Sequence, residues 1–558
     1  MKNILVKGMM SLLTAGMLTG CSKDYLDLAP VTTVSSATVQ TTEEGAQQAL
    51  YGLCSTMFTM WSESLVMNYG FPVGEPSIQT VYGEILGQDY YSYFWNYFYG
   101  GNMMWDPNSM PNAWIPLLGW DYCYNLINQA NTILDGIDTI EGNRAHLDFI
   151  KAQALTFRAH AYTRLIQLYA PRWEDSQNGE RYCCVIRTTS SVQDVPLAKM
   201  NDVVKLIYDD LELAESIYAE CGYQRTKGWE PNLNVAQAIH ARCAMIIHDY
   251  ETAEKMAHDA RQGYPIMSAD EYKAGFCTPN KEWIWFAYNH GENGYDTWNM
   301  LYACNGAYPL QTGWGAGVIN YDLYRKFQEG DIRSDLFFTP DKLVGNRVKA
   351  SAFWSDSWID PMTMNLNAQN SLMQAQIRAF NKKSYPTDAS VDWPAPYVDS
   401  GQADEEGVIM FGAQYKFWGK TLTGSGDYCC IRGAEMLLTE AEAAYRNGHE
   451  SVAVANLKEL CAERIPNYEC NLSGEALFEE IKLQRRFELW GEGFNFFDLK
   501  RWVMPMDRNP WVKGDVNSNN IPAQYELHKA STDRGWRFAV PNAESRYNTM
   551  IDRTLVDY

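Results

Sequence analysis

Apolar residues recur every three to four positions along several stretches of the chain, with polar residues between them. This spacing is typical of amphipathic helices that bury one face. The stretches lie at 120–134, 152–169, 203–214, 236–246, 250–260 and 434–445. The pattern therefore predicts a mainly α-helical fold.

Two pairs of these stretches repeat at one distance: Tyr124 lies 33 residues before Phe157, and Leu211 lies 33 residues before Ala244. Small residues at the contact positions would let the helix axes approach closely. They are Ala130, Ala159, Ala161, Ala214, Ala241, Ala253, Ala441 and Ala444. Helix pairs with a period near 34 residues are typical of tetratricopeptide-like repeats, whose loops can be long. We expect a tetratricopeptide-like helix-pair scaffold.

Two segments break the helical pattern. Residues 61–120 include a run at 90–99 in which eight of ten residues are aromatic. Residues 263–427 are rich in Trp, Gly, Pro and Asn, and one short strand is expected at Glu282–Ala287. Long non-helical segments in a helical protein are usually functional. We therefore expect 263–427 to be a large, loop-rich, ligand-binding insertion with a few short strands.

The N-terminus has the features of a secretory signal. Lys2 and Lys7 precede the apolar segment Gly8–Leu18, which is shorter than the roughly 20 residues of a membrane span. The following Leu-Thr-Gly-Cys resembles a bacterial lipobox, in which Cys21 becomes the acylated first residue; the alternative is an ordinary signal peptide with a chance cysteine. The predicted regions are 1–20 (signal peptide), 21–262 (N-terminal region with the aromatic loop), 263–427 (insertion) and 428–558 (C-terminal region with the last helix pairs).

Composition narrows the function. The net charge of −22 argues against nucleic acid as a partner, because such proteins carry a basic face. No HExxH, P-loop or GxSxG motif occurs, and Gly313–Gly317 lacks the third glycine of a dinucleotide fingerprint. The missing motifs lead us to expect no cofactor and no catalytic residue. The cysteines show no metal-site spacing, so we also expect no metal, and we expect few disulfides.

Several motifs in order along the chain resemble the SusD/RagB family of Bacteroidota surface lipoproteins. The most specific is RRFELWGEGFNFFDLKRW at 485–502. The others are CSKDYLD at 21–27, ALTFRAHAY at 154–162, IRGAEMLLTEAEA at 431–443 and FAVPNAE at 538–544. The chain departs from the family pattern at Asn495, where Arg is usual, and at Ala170, where Gly is usual.

The resemblance implies a non-catalytic, lipid-anchored protein on the outer face of the outer membrane. Its partner would be a SusC-like TonB-dependent transporter, to which it would deliver an oligosaccharide or polysaccharide. Three alternatives stay open: the same scaffold binding peptides for import, a hydrolase, and a structural surface protein.

We interpret the block at 485–502 as a structural cluster of ion pairs and aromatic rings, and not as the ligand site. On a helix, Arg485 and Glu488 are spaced to pair at i, i+3. Beyond the glycine turn, Asp498 can meet Arg486 or Arg501.

The ligand site is expected in the two loop-rich segments, where Trp and Tyr rings offer flat apolar faces and neighbouring Asn and Asp offer polar groups. Trp95, Tyr97 and Tyr99 alternate and would share one face of an extended chain. The other candidates are Asn289, Asp296, Trp298, Tyr302, Trp314, Trp354 and Trp358. For any one ring, a place in a local core is an equal alternative.

Overall fold

The structure, a computed structural model, describes residues 39–57, 74–92, 103–288, 317–337, 426–512, 514–515 and 517–556. It also describes residues 412, 414 and 416–417 and the backbone of four short strands between residues 343 and 410.

Helices of seven or more residues dominate this part of the chain. They are α1 Glu43–Thr56, α2 Trp114–Leu134, α3 Arg144–Tyr169, α4 Met200–Glu220, α5 Leu233–Ile246, α6 Tyr250–Ala260, α7 Gly433–Arg446, α8 Glu450–Ala462, α9 Gly474–Glu488 and α10 Asn495–Arg501. Short helical turns lie at Glu75–Ser77, Ala269–Tyr272, Tyr321–Tyr324 and Asn542–Tyr547, and the first of these continues as the π-helix Ile78–Glu84.

The described strands form six antiparallel pairs. The pairs are β1 Tyr90–Ser92 with β5 Gly317–Ile319, β2 Tyr182–Val185 with β3 Leu197–Lys199, β4 Trp283–Ala287 with β10 Tyr428–Arg432, β6 Leu343–Val344 with β7 Arg347–Val348, β8 Tyr397–Asp399 with β9 Val408–Met410, and β11 Met506–Arg508 with β12 Leu527–Lys529. None of these pairs extends into a larger sheet within the described residues. The body of the described structure is therefore helical, and the strands are short additions to it.

Each helix from α2 to α8 packs on the next helix along the chain. Two of these pairs, α5–α6 and α7–α8, are joined by turns of only three residues. This confirms the mainly α, helix-pair fold that the spacing predicts. Helices α6 and α7 also pack on each other, although the whole loop-rich insertion separates them in sequence. The insertion thus lies between two helices that are neighbours in the stack.

Local sequence explains where these helices start and how closely they pack. The side chain of Asn232 accepts a hydrogen bond from Val235 N at the start of α5, and Asp249 does the same for Thr252 N at the start of α6. All eight alanines expected at helix contacts are fully buried. Helix α3 is buried on most of its faces because it lies between α2 and α4.

The predicted strand at Glu282–Ala287 is confirmed as β4, and its partner β10 leads directly into α7. The chain therefore forms one strand early in the insertion and a second strand directly after it, and these two strands lie side by side. The boundaries at residues 262 and 428 stay a prediction.

The described cysteines are free thiols. They are Cys54, Cys123, Cys183, Cys184, Cys221, Cys243, Cys277, Cys429, Cys430, Cys461 and Cys470. Cys123 and Cys243 are fully buried in the main apolar core, which is typical of small core residues. Cys461 is also fully buried, but it lies near the charged side chains of Arg333 and Glu488.

Candidate functional site

The residues that sequence analysis assigns to the ligand lie outside the described part of the chain. They are Trp95, Tyr97, Tyr99, Asn289, Asp296, Trp298, Tyr302, Trp314, Trp354 and Trp358, and the lipidation candidate Cys21 lies outside it as well. What the structure does describe is the base from which these segments emerge.

Strands β1 and β5 join the two loop-rich segments. In their antiparallel register Tyr90 lies opposite Ile319 and Ser92 lies opposite Gly317. Residue 93 follows β1, and residue 316 precedes β5. The pairing therefore places the point where the chain continues to residue 93 beside the point where it arrives from residue 316.

A third part of the chain lies along the other edge of β5. Ile319 N donates to Gly412 O at 3.0 Å, and Gln414 N donates to Gly317 O at 3.0 Å. Gly412 has a φ of +89°, and a Cβ there would stand 2.8 Å from Ile319 O, so glycine is required. Three segments that sequence analysis left as loops thus meet around β5.

The block at 485–502 holds the start of β1 in place. Asp89, which directly precedes β1, accepts hydrogen bonds from Arg486 Nε at 2.8 Å and Nη2 at 2.6 Å. Trp490 Nε1 donates to Asp89 O at 2.8 Å, and its ring lies 5.5 Å from that of Tyr90. Asn495, the position where the family usually has Arg, donates to Asp89 and accepts from Gln88 N. These contacts are structural, and they fix β1 to the C-terminal part of the chain.

Some of the ion pairs predicted within the block at 485–502 are wrong. Arg485 pairs with Asp498, with Nε 2.7 Å from Oδ2, and not with Glu488. Asp498 also pairs with Arg501, as expected, whereas Arg486 turns to Asp89. The i, i+3 spacing was a poor guide because these side chains are buried, and burial lets partners from distant segments compete with a local one.

Glu488 belongs instead to a buried ion-pair cluster that fastens the insertion to the scaffold. Its cations are Arg333, Lys416, Arg432 and Arg464, and its carboxylates are Glu282, Asp331, Glu488 and Glu492. Each of these side chains is less than a tenth exposed. Four of the eight, Glu282, Asp331, Arg333 and Lys416, come from the insertion.

Glu488 is the centre of this cluster. Its carboxylate lies 2.9 Å from Arg432 Nη1 and 3.0 Å from Arg464 Nε, and Arg333 Nη1 is 3.5 Å away. Burial alone would raise the pKa of Glu488, but the arginines hold that pKa well below its usual range. Glu488 is therefore ionised at neutral pH.

The π-helix and the glycine turn after α9 meet at Glu84. Its carboxyl accepts from Gly493 N at 2.7 Å and Phe494 N at 3.0 Å. Burial raises the pKa of Glu84 to about 8 in spite of these bonds. A Cβ on Gly83 would stand 2.2 Å from Gly493 O, so the two backbones touch only because both residues are glycines.

One aromatic surface that sequence analysis missed lies at Tyr288, directly after β4. Tyr288 is 44% exposed, and its ring stacks on Trp229 at 6.4 Å and 24°. Trp229 in turn meets Tyr51 edge to face at 5.2 Å. The position of Tyr288, next after a predicted strand and before Asn289, was a usable signal. Trp229 and Tyr51 gave none, because only the fold brings them together.

Two further searches concern the described residues alone. No helix there is both long and apolar enough to cross a bilayer. No three His, Cys, Asp or Glu side chains gather there in an arrangement that could hold a metal ion.

Comparison with solved structures gives similar folds at low identity. A SusD-like carbohydrate binding protein from Bacteroides vulgatus is 20% identical, with a TM-score of 0.69 over 92% of this chain and 97% of that chain. A SusD superfamily protein from Bacteroides thetaiotaomicron is 18% identical, with a TM-score of 0.65 over 92% and 99%. A SusD-like carbohydrate binding protein from Bacteroides fragilis is 15% identical, with a TM-score of 0.63 over 92% and 100%. At these identities the likeness shows the fold.

Family models match most of the sequence. A model described as "SusD family" matches residues 281–554, and one described as "Starch-binding associating with outer membrane" matches residues 62–245. No curated protein sequence matches the chain. The two matches, together with the shared fold, show that the chain belongs to the SusD family.

Proposed function

We propose that this protein is a non-catalytic, cell-surface lipoprotein that binds a glycan and delivers it to a SusC-like TonB-dependent transporter. The observation that carries the proposal is the pairing of β1 with β5, which joins the two aromatic segments at their bases. Family membership supports it, as do the relatives described as carbohydrate binding proteins. The match to a family described as associating with the outer membrane supports the location.

The strand register suggests which rings begin the site. Trp95 follows Ser92 by three residues, and Trp314 precedes Gly317 by three. Ser92 and Gly317 lie opposite each other. Three residues of chain span at most about 11 Å, so the backbone of each Trp is tied close to one point. We assign Trp95 and Trp314 to the centre of the site.

The remaining candidates extend this centre. Tyr97 and Tyr99 continue the first segment, and the rings and polar groups of the insertion continue the second. Among described residues, the stacked pair Trp229 and Tyr288 offers a further surface for a sugar ring. The other proposed ligand residues are Asn289, Asp296, Trp298, Tyr302, Trp354 and Trp358.

Sugar binding on such rings has a predictable strength. Stacking one pyranose on an indole buries roughly 50–100 Å² of apolar surface, which contributes about 1–3 kcal/mol. Loss of one ring should therefore weaken binding about tenfold to a hundredfold. Loss of a core ring should instead lower the free energy of unfolding first.

Alanine substitution separates these two cases. Each of Trp95, Trp298, Trp314, Trp354 and Trp358 is replaced, and both melting temperature and affinity electrophoresis on a polysaccharide panel are measured. Tyr547→Ala is the control, because Tyr547 is 85% exposed and lies on the C-terminal segment. Five destabilised variants without one selective loss of affinity would refute the site. Retention of peptides and of no polysaccharide would favour peptide import instead.

Membrane attachment is tested at the proposed acylation site. Cys21→Ala should release the protein from the membrane fraction, because the acyl chains hold it there. Cys221→Ala is the matched control, since it removes a partly exposed cysteine from the folded body. A Cys21→Ala protein that still labels with palmitate would refute the lipobox assignment.

Delivery and the lack of catalysis need their own tests. Purification in mild detergent should recover a large outer-membrane protein together with the lipoprotein. Recovery of the lipoprotein alone, where comparable complexes survive, would count against a transporter partner. A bound polysaccharide that gains reducing ends on incubation would show that the protein is an enzyme.

A further inference from the structure

A small cationic cleft opens within the helical scaffold, between α3, α5, α7 and α10. It is built from described residues alone and shares no residue with the aromatic segments. Six basic side chains line it: Arg164, Arg172, Arg242, Arg485, Lys500 and Arg501. Phe494 and Phe497 add an apolar wall.

Each arginine of the cleft has a carboxylate partner. Arg164 pairs with Glu75, Arg172 with Asp175, Arg242 with Glu435, Arg485 with Asp498, and Arg501 with both Glu442 and Asp498. The sixth cation differs. Lys500 Nζ donates to the backbone oxygens of Gln167 at 2.7 Å and Ala170 at 2.8 Å. Lys500 is thus the one cation of the six that has no carboxylate partner among the described residues.

Two guanidiniums that line the cleft also have an unused donor. Arg172 is 5% exposed and Arg242 is 8% exposed, yet Nη1 of each is buried and finds no hydrogen-bond partner among the described residues. A buried donor left unpaired is costly, and more so on a charged group. Guanidinium donors suit the oxygens of carboxylate, sulfate and phosphate groups.

We propose that this cleft binds a small oxyanion, a carboxylate, sulfate or phosphate group, between Lys500 and the two arginines Arg172 and Arg242. The ion supplies the missing negative charge and accepts from the two unused Nη1 donors. Phe494 and Phe497 form the apolar wall beside this proposed site.

Lys500 makes the binding depend on pH. Burial and the nearby charges of Arg537 and Arg172 together lower the pKa of Lys500 to about 7, against smaller opposing effects of Cys183 and Asp175. An anion beside the ammonium favours the protonated form. Binding should therefore be tight below about pH 7 and should weaken above it, by as much as tenfold per pH unit.

Calorimetry on the full-length lipoprotein in detergent tests the proposal. Sulfate and galacturonate are the probes, because both keep their charge from about pH 6 to about pH 8, and chloride at equal ionic strength is the reference. One site that binds more tightly at the lower pH is expected. Sulfate alone would identify a free inorganic ion, and galacturonate alone a sugar-borne group. No binding of either probe up to about 10 mM would overturn the proposal.

Three variants locate the binding. Lys500→Met should weaken it about tenfold or more and remove its pH dependence. Arg172→Gln should weaken it and keep the pH dependence; its partner Asp175 is half-exposed, so the fold should tolerate the change. Lys205→Met is the matched control, since it also removes one ammonium, but at a 74% exposed position. Unchanged affinity in Arg172→Gln would overturn the proposal even if Lys500→Met does not fold.

Discussion

Replacing Glu488 by Gln tests whether the buried ion pairs hold the insertion on the scaffold. The substitution keeps the shape of the side chain and removes its charge. Arg432, Arg464 and Arg333 then lie in a buried place with one carboxylate too few. Breaking a buried pair by removing one partner costs about 3–5 kcal/mol, and we expect a loss of that size in the free energy of unfolding.

The effect should also depend on pH, with a definite sign. The native pKa of Glu488 is depressed, so its stabilising contribution is complete above the unfolded pKa of about 4.3 and is lost as the pH falls through the native value. The difference between wild type and Glu488→Gln should therefore be largest near neutral pH. Below about pH 4 it should shrink.

Urea unfolding followed by Trp fluorescence measures the loss, because urea does not screen charges as guanidinium salts do. Glu479→Gln is the matched control: it lies on the same helix, and its 59% exposed side chain pairs only with Lys482 among described residues. That pair should be worth less than about 1 kcal/mol. A Glu488→Gln protein within about 1 kcal/mol of wild type would refute the reasoning.

Three other substitutions are expected to act through local contacts. Arg486→Ala leaves Asp89 buried without its guanidinium and should lower the free energy of unfolding by about 3 kcal/mol in urea; no loss would contradict the anchoring of β1. The native pKa of Glu84 is raised, so the wild-type protein loses stability as the pH rises from about 4.5 to about 8. Glu84→Gln should therefore be more stable than wild type near pH 8.5 and should lose that advantage near pH 5. Tyr288→Ala should weaken glycan binding up to about tenfold with little change in melting temperature, and equal weakening in Tyr547→Ala would refute a specific role.

The helices were predictable because each leaves a local trace. The stripe at 434–445, for instance, becomes α7, whose apolar face is buried against α6 and α8. Helix α8 carries the same trace at Ala453, Leu457 and Leu460, and a closer reading of the spacing would have found it. Helix α1 was harder to predict, because its first turns are polar and Leu50 and Leu53 are its only leucines.

The contacts at the base of the site were not predictable from spacing. Asp89 and Arg486 lie at opposite ends of the chain, and nothing near either residue names the other as its partner. The same holds for the pairing of Tyr90–Ser92 with Gly317–Ile319. Sequence analysis could mark both segments as unusual because aromatic residues crowd there. It could not show that their ends share a ladder, since strand pairing between distant segments is set by the fold.

The way the insertion is attached separates its loops from the helical scaffold. Early in the insertion the chain forms β4, directly after the insertion it forms β10, and these two strands pair before α7 continues the helix stack. Glu282 and Arg432 add a buried ion pair at that junction, with 2.8 Å between their atoms. Because both ends are fixed at one place, changes in the loops between them need not move α6 or α7. The oxyanion cleft, in contrast, is lined by helices and their connecting turns, so changes in the loops should leave it intact.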